Sequence, residues 1–325
     1  MTQNFTDIYD DYYYDYFYDF DDHLESFNVH LRKSMKMISL VFYSLTLILG
    51  IPGNAFVMYV AGLKMKRTVN TVGFLNLAIA DLLCCLSTLY YVAENSLEEN
   101  WPYESVFICK ILPFVMFITM FASVFTLSLI SLDRFTQVIT PVWAQNHRSL
   151  LIARLSCVVA WVLAVILSLP FMMLRGNSTD GKKQCLLYKS DKEQMYRNLS
   201  VIRFVFGFLV PLICITTCYG FIAHKLGRSH FHSGRAFRIM LAVIVAFFLC
   251  WLPYHTVQLL IMYGERSSVL AALAVDPLTI SLAHFNSCLN PTLYVFIGQD
   301  FKSNVKLSLR RVFERAFSEE GAQAS

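Results

Sequence analysis

The chain has 325 residues, of which 56% are hydrophobic and 15% charged, a charged share well below the usual figure of about 25%. This composition leaves little chain for a soluble domain, and we expect no nucleic-acid partner. The net charge of +4 is uninformative by itself, because an acidic N-terminal region and basic segments further along the chain contribute to it with opposite signs.

The first predicted element is a tail at residues 1–35, whose first 26 residues hold seven Asp and one Glu but no Lys or Arg. Repulsion between these charges opposes collapse, so we predict that the tail is disordered by itself. A solubilising acidic leader is one interpretation. The other is a sulfated surface for a basic partner, because tyrosines alternate with the acids: Tyr9, Tyr12, Tyr13, Tyr14, Tyr16 and Tyr18.

Seven apolar runs follow, each long enough for a helix that crosses a membrane core of about 30 Å. They predict an all-α membrane protein, with a seven-helix transmembrane bundle over residues 36–298 in contact with the lipid bilayer. We number them as spans one to seven: Met37–Val60, Thr71–Ala93, Val106–Ile139, Leu151–Leu174, Leu199–Leu226, Phe237–Tyr263 and Leu270–Ile297.

Basic residues concentrate in alternate connections, as in Lys64–Arg67 and Lys225–Arg238. The positive-inside rule makes these connections cytoplasmic and the N-terminus extracellular, in a plasma-membrane protein. No basic start with an apolar core occurs in the first 35 residues, so we expect span one to act as the insertion signal. Glycosylation sequons at Asn4 and Asn177 fall on the predicted extracellular side.

The cysteines are distributed unevenly. Seven of nine lie in the interior of spans, whereas Cys109, among the first residues of span three, and Cys185, in the connection after span four, are placed for a disulfide.

Residues 299–325 carry apolar residues on one helical face and Lys and Arg on the other. This pattern predicts a short amphipathic eighth helix on the inner leaflet, followed by a short cytoplasmic tail.

Polar residues in the middle of the spans form a candidate site. Burying such groups in a membrane costs free energy, so they persist mainly where they have a function. We predict a polar network around the carboxylate of Asp81 with an allosteric sodium ion as its only cofactor and no structural metal, because hard oxygen ligands suit a hard cation. A water-filled network without an ion is the alternative. The other members are Asn54, Ser123, Asn286, Ser287 and Asn290.

The charged residues at the end of span three and the prolines inside the spans predict that the helices can move relative to one another. At the end of span three, we expect Arg134 to pair with Asp133 at rest and to turn to a partner when the helices separate. A proline inside a helix removes a backbone hydrogen bond and permits a kink, and Trp251 lies close to such a hinge at Pro253. Each feature also has a packing explanation, but their joint occurrence in this order indicates a receptor.

In these motifs the chain resembles the rhodopsin-like (class A) G-protein-coupled receptors along its whole length. The resemblance implies a heterotrimeric G protein as partner and a core switch at Val124, Pro211, Phe247 and Trp251. The matching residues are Gly50, Gly53, Asn54, Leu77, Asp81, Asp133, Arg134, Trp161, Pro211, Tyr219, Cys250, Trp251, Pro253, Asn290, Pro291 and Tyr294.

Several segments resemble the chemoattractant subgroup, which contains the anaphylatoxin, formyl-peptide and chemerin receptors: Lys64–Thr71, Trp101–Tyr103, Pro141–Arg148 and Gly298–Phe301. This resemblance implies coupling to an inhibitory-class G protein. It also implies a basic peptide or small-protein ligand, favouring an anaphylatoxin, whose C-terminal end is held by Arg175, Arg203 and Asp276 above Tyr254 and Trp251. Guanidinium groups bind a carboxylate, and a carboxylate binds a terminal Arg.

Other functions stay open at this point. A scavenger would bind the same ligands without signalling, and a formyl peptide or a carboxylate lipid would also suit an Arg in the pocket. Arrestin is a further possible partner, although few Ser and Thr follow span seven and Phe135 replaces the family's usual Tyr or Cys. We find no internal repeat of the kind that transporters use and no enzyme motif.

Overall fold

The structure is a computed structural model that describes residues 22–97, 106–173, 175–177, 185–187, 193–227 and 235–297. The six tyrosines predicted to be sulfated, the sequon at Asn4 and the amphipathic segment 299–325 lie outside these residues. The side chains of Cys109, Cys185, Asn177 and Tyr294 also lie outside the described part. The disulfide, the second sequon and the eighth helix therefore stay predictions.

Seven helices in the described part are long and apolar enough to cross a membrane, which confirms the predicted spans. The α-helices are Asp22–Leu45, Ile51–Tyr59, Val69–Leu97, Val106–Ile139, Pro141–His147, Leu150–Met173, Glu193–Phe204, Val210–Gly227, Arg235–Tyr263 and Arg266–Ile297. Three π-helical segments complete spans one and five: Thr46–Gly50, Val60–Lys64 and Val205–Leu209.

The first helix begins at Asp22, inside the region that we predicted to be a disordered tail through residue 35. In the sequence, Leu24, Phe27 and Leu31 recur at helical spacing, with no Gly or Pro to interrupt them. An acidic residue at the start of a helix is also favoured by the helix dipole. The tail prediction therefore extended about four helical turns too far.

A short hairpin, absent from the all-α prediction, follows span four. Strands Arg175–Asn177 and Cys185–Leu187 pair antiparallel, with Arg175 opposite Leu187 and Asn177 opposite Cys185. The hairpin places the backbone of Arg175 directly beyond the end of span four.

Two of the π-helical segments coincide with prolines. A proline has no N–H for the carbonyl four residues earlier, and for Pro52 and Pro211 those carbonyls belong to Ile48 and Gly207. Both lie inside π-helical segments, Thr46–Gly50 and Val205–Leu209. The wider turn is a known way for a helix to accommodate such an interruption.

The spans bury a continuous core and leave apolar side chains on the outside. Phe121, Val124 and Phe247 are at most 1% exposed, whereas Leu151 and Ile166 of span four project outward and are more than half exposed. An apolar exterior of this kind suits contact with lipid. We call the end where span one begins the N-terminal end of the bundle; the other is the opposite end.

Candidate functional site

Spans one and seven meet at a glycine contact. A Cβ atom at Gly53 would lie 2.9 Å from Cγ of Pro291, and one at Gly50 would collide with the Cys85 thiol. A larger residue at Gly53 would therefore push spans one and seven apart, and a larger residue at Gly50 would displace Cys85 of span two. The Gly50-x-x-Gly53 pattern is explained by this close approach.

The amide of Asn54 satisfies a carbonyl that Pro291 leaves without its helical partner. Pro291 cannot donate to the oxygen of Ser287, four residues earlier. Instead, Nδ2 of Asn54 donates to that oxygen at 2.8 Å, and to the Gly50 oxygen at 3.0 Å. Asn54 therefore joins span one to the kinked part of span seven.

The predicted polar network has one of its contacts at Asp81. Nδ2 of Asn290 donates to a carboxylate oxygen of Asp81 at 2.7 Å. All six predicted members are at most 4% exposed: Asn54, Asp81, Ser123, Asn286, Ser287 and Asn290. The side-chain oxygens of Asn286 and Asn290 are buried and have no hydrogen-bond donor within the described residues. This donor set of a carboxylate, amide oxygens and hydroxyls fits a hard cation or water.

Span four is held to span two by one polar contact. Nε1 of Trp161 donates to Oδ1 of Asn76 at 3.0 Å, and Nδ2 of Asn76 donates to the Val72 oxygen. The family resemblance pointed to Trp161, but its acceptor could not be identified from the sequence.

Arg203 lies at the centre of an aromatic cage near the N-terminal end. Its side chain is 1% exposed, and its guanidinium carbon lies 4.6, 5.1 and 5.2 Å from the ring centroids of Phe117, Phe171 and Tyr254. Nε and Nη1 are buried, without a hydrogen-bond partner in the described part of the chain. The rings stabilise the charge by cation–π contact, but they leave its hydrogen-bond donors free for an anion.

No carboxylate of spans five and six can neutralise Arg203, because the sequence has no Asp or Glu between Glu193 and Glu265. Ser200, one turn before Arg203, is also buried, and its hydroxyl lacks a partner among the described residues. The same holds for Nε2 of His255. Several unused polar atoms therefore surround one buried cation.

A series of aromatic contacts connects the cage to the core. The ring centroids of Tyr254 and Trp251 lie 5.8 Å apart, and those of Trp251 and Phe247 lie 5.9 Å apart. Trp251 is 2% exposed, and both Val124 and Phe247 belong to the same buried cluster. Pro211 is buried as well. A displacement of Tyr254 would therefore act directly on Trp251.

Asp276, at the N-terminal end of span seven, is partly exposed. Its carboxylate accepts a hydrogen bond from Nε2 of Gln258 in span six at 3.0 Å. The hydroxyl of Thr279 donates to the Asp276 main-chain oxygen at 2.9 Å. Span six therefore orients this carboxylate. The side chain of Arg175 lies outside the described part, so the structure does not test its grouping with Arg203 and Asp276.

At the opposite end, Asp133 pairs with Arg148 and not with Arg134, so the predicted Asp133–Arg134 pair is wrong for this structure. Nε of Arg148 donates to one carboxylate oxygen at 2.8 Å, and Nη2 donates to the other at 3.2 Å. Gln137 donates to the second oxygen at 2.6 Å. Neighbouring residues of a helix do not face each other, whereas Arg148, which directly follows the short helix Pro141–His147, approaches with a bidentate fork.

Two further contacts fix this end. Nζ of Lys225 in span five donates to the carbonyl oxygens of Val138 and Ile139 at 2.6 and 3.2 Å, which caps the last turn of span three. The rings of Phe135 and Phe221 meet edge to face at 6.0 Å. Tyr219 is buried in the same part of span five.

The sequence interpretation missed several contacting residues. Gln258 and His255 lie at helical spacing from Trp251, so the i, i+4, i+7 pattern could have placed them on its face of span six. Phe117 and Phe171 had no such signal, because they come from spans three and four. Arg148 lies in the segment Pro141–Arg148, which resembles the chemoattractant subgroup. No local sequence pattern indicated that Asp133 would be its partner.

Comparison with known proteins identifies the family. Residues 53–294 match the family model for the 7 transmembrane receptor (rhodopsin family). The chain is 62% identical over 323 residues to the C3a anaphylatoxin chemotactic receptor of Danio rerio, covering 99% of this chain and 87% of that protein. It is 38% identical to formyl peptide receptor 2 of Mus musculus, over 89% and 88% of the two chains. For chemerin-like receptor 1 of Sus scrofa the identity is 38%, over 93% and 88%.

The predicted resemblance is confirmed by these matches, which cover nearly the whole chain. The motifs that carried the resemblance have a structural role here. They form the glycine contact of span one and the hydrogen bond between Asp81 and Asn290. The chain belongs to the rhodopsin family of seven-transmembrane receptors, in the chemoattractant group.

Proposed function

We propose that this receptor binds a basic, anaphylatoxin-like peptide or small protein by its C-terminal end and signals through an inhibitory-class G protein. In this proposal it lies in the plasma membrane with its N-terminus outside, and it catalyses no reaction. The N-terminal end of the bundle is then extracellular and the opposite end cytoplasmic. The 62% identity to a C3a anaphylatoxin chemotactic receptor supports this choice of ligand class.

The buried, uncompensated charge of Arg203 is the observation that carries the proposal. A cation in a low-dielectric interior without an anion is costly, and here two of its nitrogens also lack acceptors among the described residues. A C-terminal carboxylate would supply both the charge and the bidentate acceptor. The aromatic cage keeps the guanidinium in place before the ligand arrives, so little ordering remains for binding.

Asp276 supplies the complementary charge. A ligand that ends in Arg has a carboxylate and a guanidinium close together, and we assign the first to Arg203 and the second to Asp276. Gln258 holds the Asp276 carboxylate at 3.0 Å and so limits its movement before binding. We assign Arg175 a second contact with the ligand carboxylate, because its backbone lies directly after span four.

Activation then proceeds through Tyr254. A carboxylate bound to Arg203 draws the guanidinium away from the Tyr254 ring, which contacts Trp251. Trp251 lies two residues before the hinge at Pro253. For the ligand to activate the receptor, it has to bind the opened arrangement more tightly than the closed one. In the resting state, we propose that the Asp81 network holds a sodium ion.

The acidic tail gives the ligand a first contact. The seven Asp and one Glu of the first 26 residues would attract a basic ligand body over a distance of about 8 Å at physiological salt. Sulfation of its tyrosines would strengthen this attraction. Binding thus has two sites, one for the ligand body and one for its C-terminal end.

The test is activation of inhibitory-class G protein in cells that express this chain. The ligands are anaphylatoxins with and without their C-terminal Arg, together with formyl peptides and chemerin. We expect a response to anaphylatoxin that falls when the Arg is removed. In Asp276→Asn, the loss of potency should be much larger for the Arg-ended ligand than for the shortened one.

Each other outcome has a specific meaning. Equal losses for the two ligands in Asp276→Asn would contradict the Asp276 assignment. Binding without activation would support a scavenger instead of a signalling receptor. A response to formyl peptides or chemerin alone would contradict the ligand class.

A further inference from the structure

The cytoplasmic end of span three has an unusual distribution of charge. Both oxygens of Asp133 accept hydrogen bonds from Arg148, one of them also accepts from Gln137, and Arg148 donates further to Oδ1 of Asn70 at 3.1 Å. The Arg148 and Asp133 side chains are only 29% and 17% exposed. The carboxylate is thus fully occupied by partners other than its neighbour Arg134.

Arg134 forms no ion pair with a carboxylate in the described structure, although the charge of the neighbouring Asp133 acts on it. No ion pair joins it to Asp133 there, and its Nε is buried without a hydrogen-bond partner. Spans five and six cannot supply a carboxylate either, because the sequence between Glu193 and Glu265 lacks both Asp and Glu. Asp133 is therefore the one acid next to Arg134 in sequence that could hold it, and Arg148 occupies it.

We infer that Arg148 is a positioning residue that keeps Asp133 away from Arg134 and thereby leaves Arg134 available to the G protein. The inference rests on the proposed orientation and G-protein coupling, but not on the identity of the ligand. Arg148 connects several elements, because it lies in the connection just before span four and contacts Asn70, in the helix of span two, and Asp133, in span three, at once.

The inference predicts that removing Arg148 lowers G-protein activation, whereas removing its partner Asp133 does not. Removing Arg148 leaves a half-buried carboxylate that needs a new cation, and Arg134 is adjacent with a free donor. The new pair would restrain Arg134 and lower G-protein activation. Removing Asp133 also breaks the bridge, yet it leaves nothing to restrain Arg134. Loss of either partner of a purely structural bridge would instead have the same effect.

The experiment measures agonist-independent GTPγS binding to inhibitory-class heterotrimeric G protein, reconstituted with equal amounts of each full-length receptor. We expect Arg148→Gln to lower the basal rate about two- to fivefold, the range available to an ion pair of this exposure. Asp133→Asn should not lower it. The double variant should match Asp133→Asn, because Arg148→Gln has no effect once the carboxylate is gone.

Arg154→Gln is the matched control, since Arg154 is an exposed arginine near the start of span four. It should leave the rate unchanged. Equal losses in Arg148→Gln and Asp133→Asn, or no loss in Arg148→Gln, would overturn the inference while the proposed function stands. An unmodified receptor that never activates this G protein would overturn the proposed function and this inference with it.

Discussion

The two ends of the bundle each hold an arginine, but in opposite ways. Arg203 is 1% exposed and is surrounded by aromatic rings, with no ion pair in the described structure. Arg148, at the other end, is more exposed and forms a bidentate pair with Asp133. The Arg148 charge is satisfied within the protein, whereas we propose that the Arg203 charge is satisfied by a ligand. The residue type alone does not separate these two cases, but the presence or absence of a carboxylate partner in the described structure does.

The middle of the bundle lies between these extremes. Asn54 satisfies the carbonyl that Pro291 leaves open, and Asn290 donates to Asp81, but two amide oxygens beside them have no donor within the described part. This region combines structural hydrogen bonds with unused acceptors. Perturbing each region should therefore affect a different property.

The largest effect is expected at Arg203. Arg203→Met keeps the bulk of the side chain in the cage but removes the charge, and we expect agonist potency to fall about 100-fold or more, as for the loss of one partner of a buried ion pair. Arg203→Lys keeps the charge but loses the bidentate guanidinium geometry, so agonist potency should fall less in this variant. Potency is measured by G-protein activation at matched surface expression. Unchanged potency in Arg203→Met would place the carboxylate elsewhere.

The glycine contact should come next, and it affects stability instead of binding. Gly53→Ala places a methyl group 2.9 Å from the Pro291 ring, and overpacking of this kind costs about 1–3 kcal/mol. The control is Gly220→Ala, where nothing lies within 4 Å of the new methyl group. Thermal unfolding in detergent should show a lower midpoint for the first variant only. Equal midpoints would mean that spans one and seven are less tightly packed than described.

Sodium should stabilise the receptor through the Asp81 network. At a concentration of ten times its Kd, an ion that binds only the folded state adds about 1.4 kcal/mol to the free energy of unfolding. Sodium chloride should therefore raise the unfolding midpoint above that in choline chloride at equal ionic strength. In Asp81→Asn, the two salts should give the same midpoint. A sodium effect that survives in this variant would place the ion elsewhere.

The smallest effect is expected for the contact between spans two and four. Trp161→Phe removes the hydrogen bond to Asn76 but keeps most of the aromatic area, and a single net hydrogen bond contributes about 1 kcal/mol. The unfolding midpoint should fall less than in Gly53→Ala, and agonist potency should not change. A loss of potency without a loss of stability would show that this contact takes part in signalling.

Much of the candidate site could be predicted, because its residues lie in motifs with fixed spacing. Asp81 and Asn290 were expected in one network and are joined by a hydrogen bond, whereas Asn54 donates to the backbone oxygens of Gly50 and Ser287. Arg203 was expected to face the bundle and is its largest fully buried side chain. The aromatic cage was not predicted, because its rings come from spans three, four and six, and no local pattern specifies how three helices rotate relative to one another.

The sequence by itself determined the seven spans, since the length and apolar character that a membrane requires are local properties of the chain. It also determined which polar groups would be buried, because any polar residue in the middle of a span has to find partners inside the bundle. Only the tertiary structure decided which partners those are. Asp133 meets Arg148 and not Arg134, and Asn54 reaches the Ser287 carbonyl, because hydrogen bonds depend on distances of a few tenths of an ångström between helices far apart in sequence.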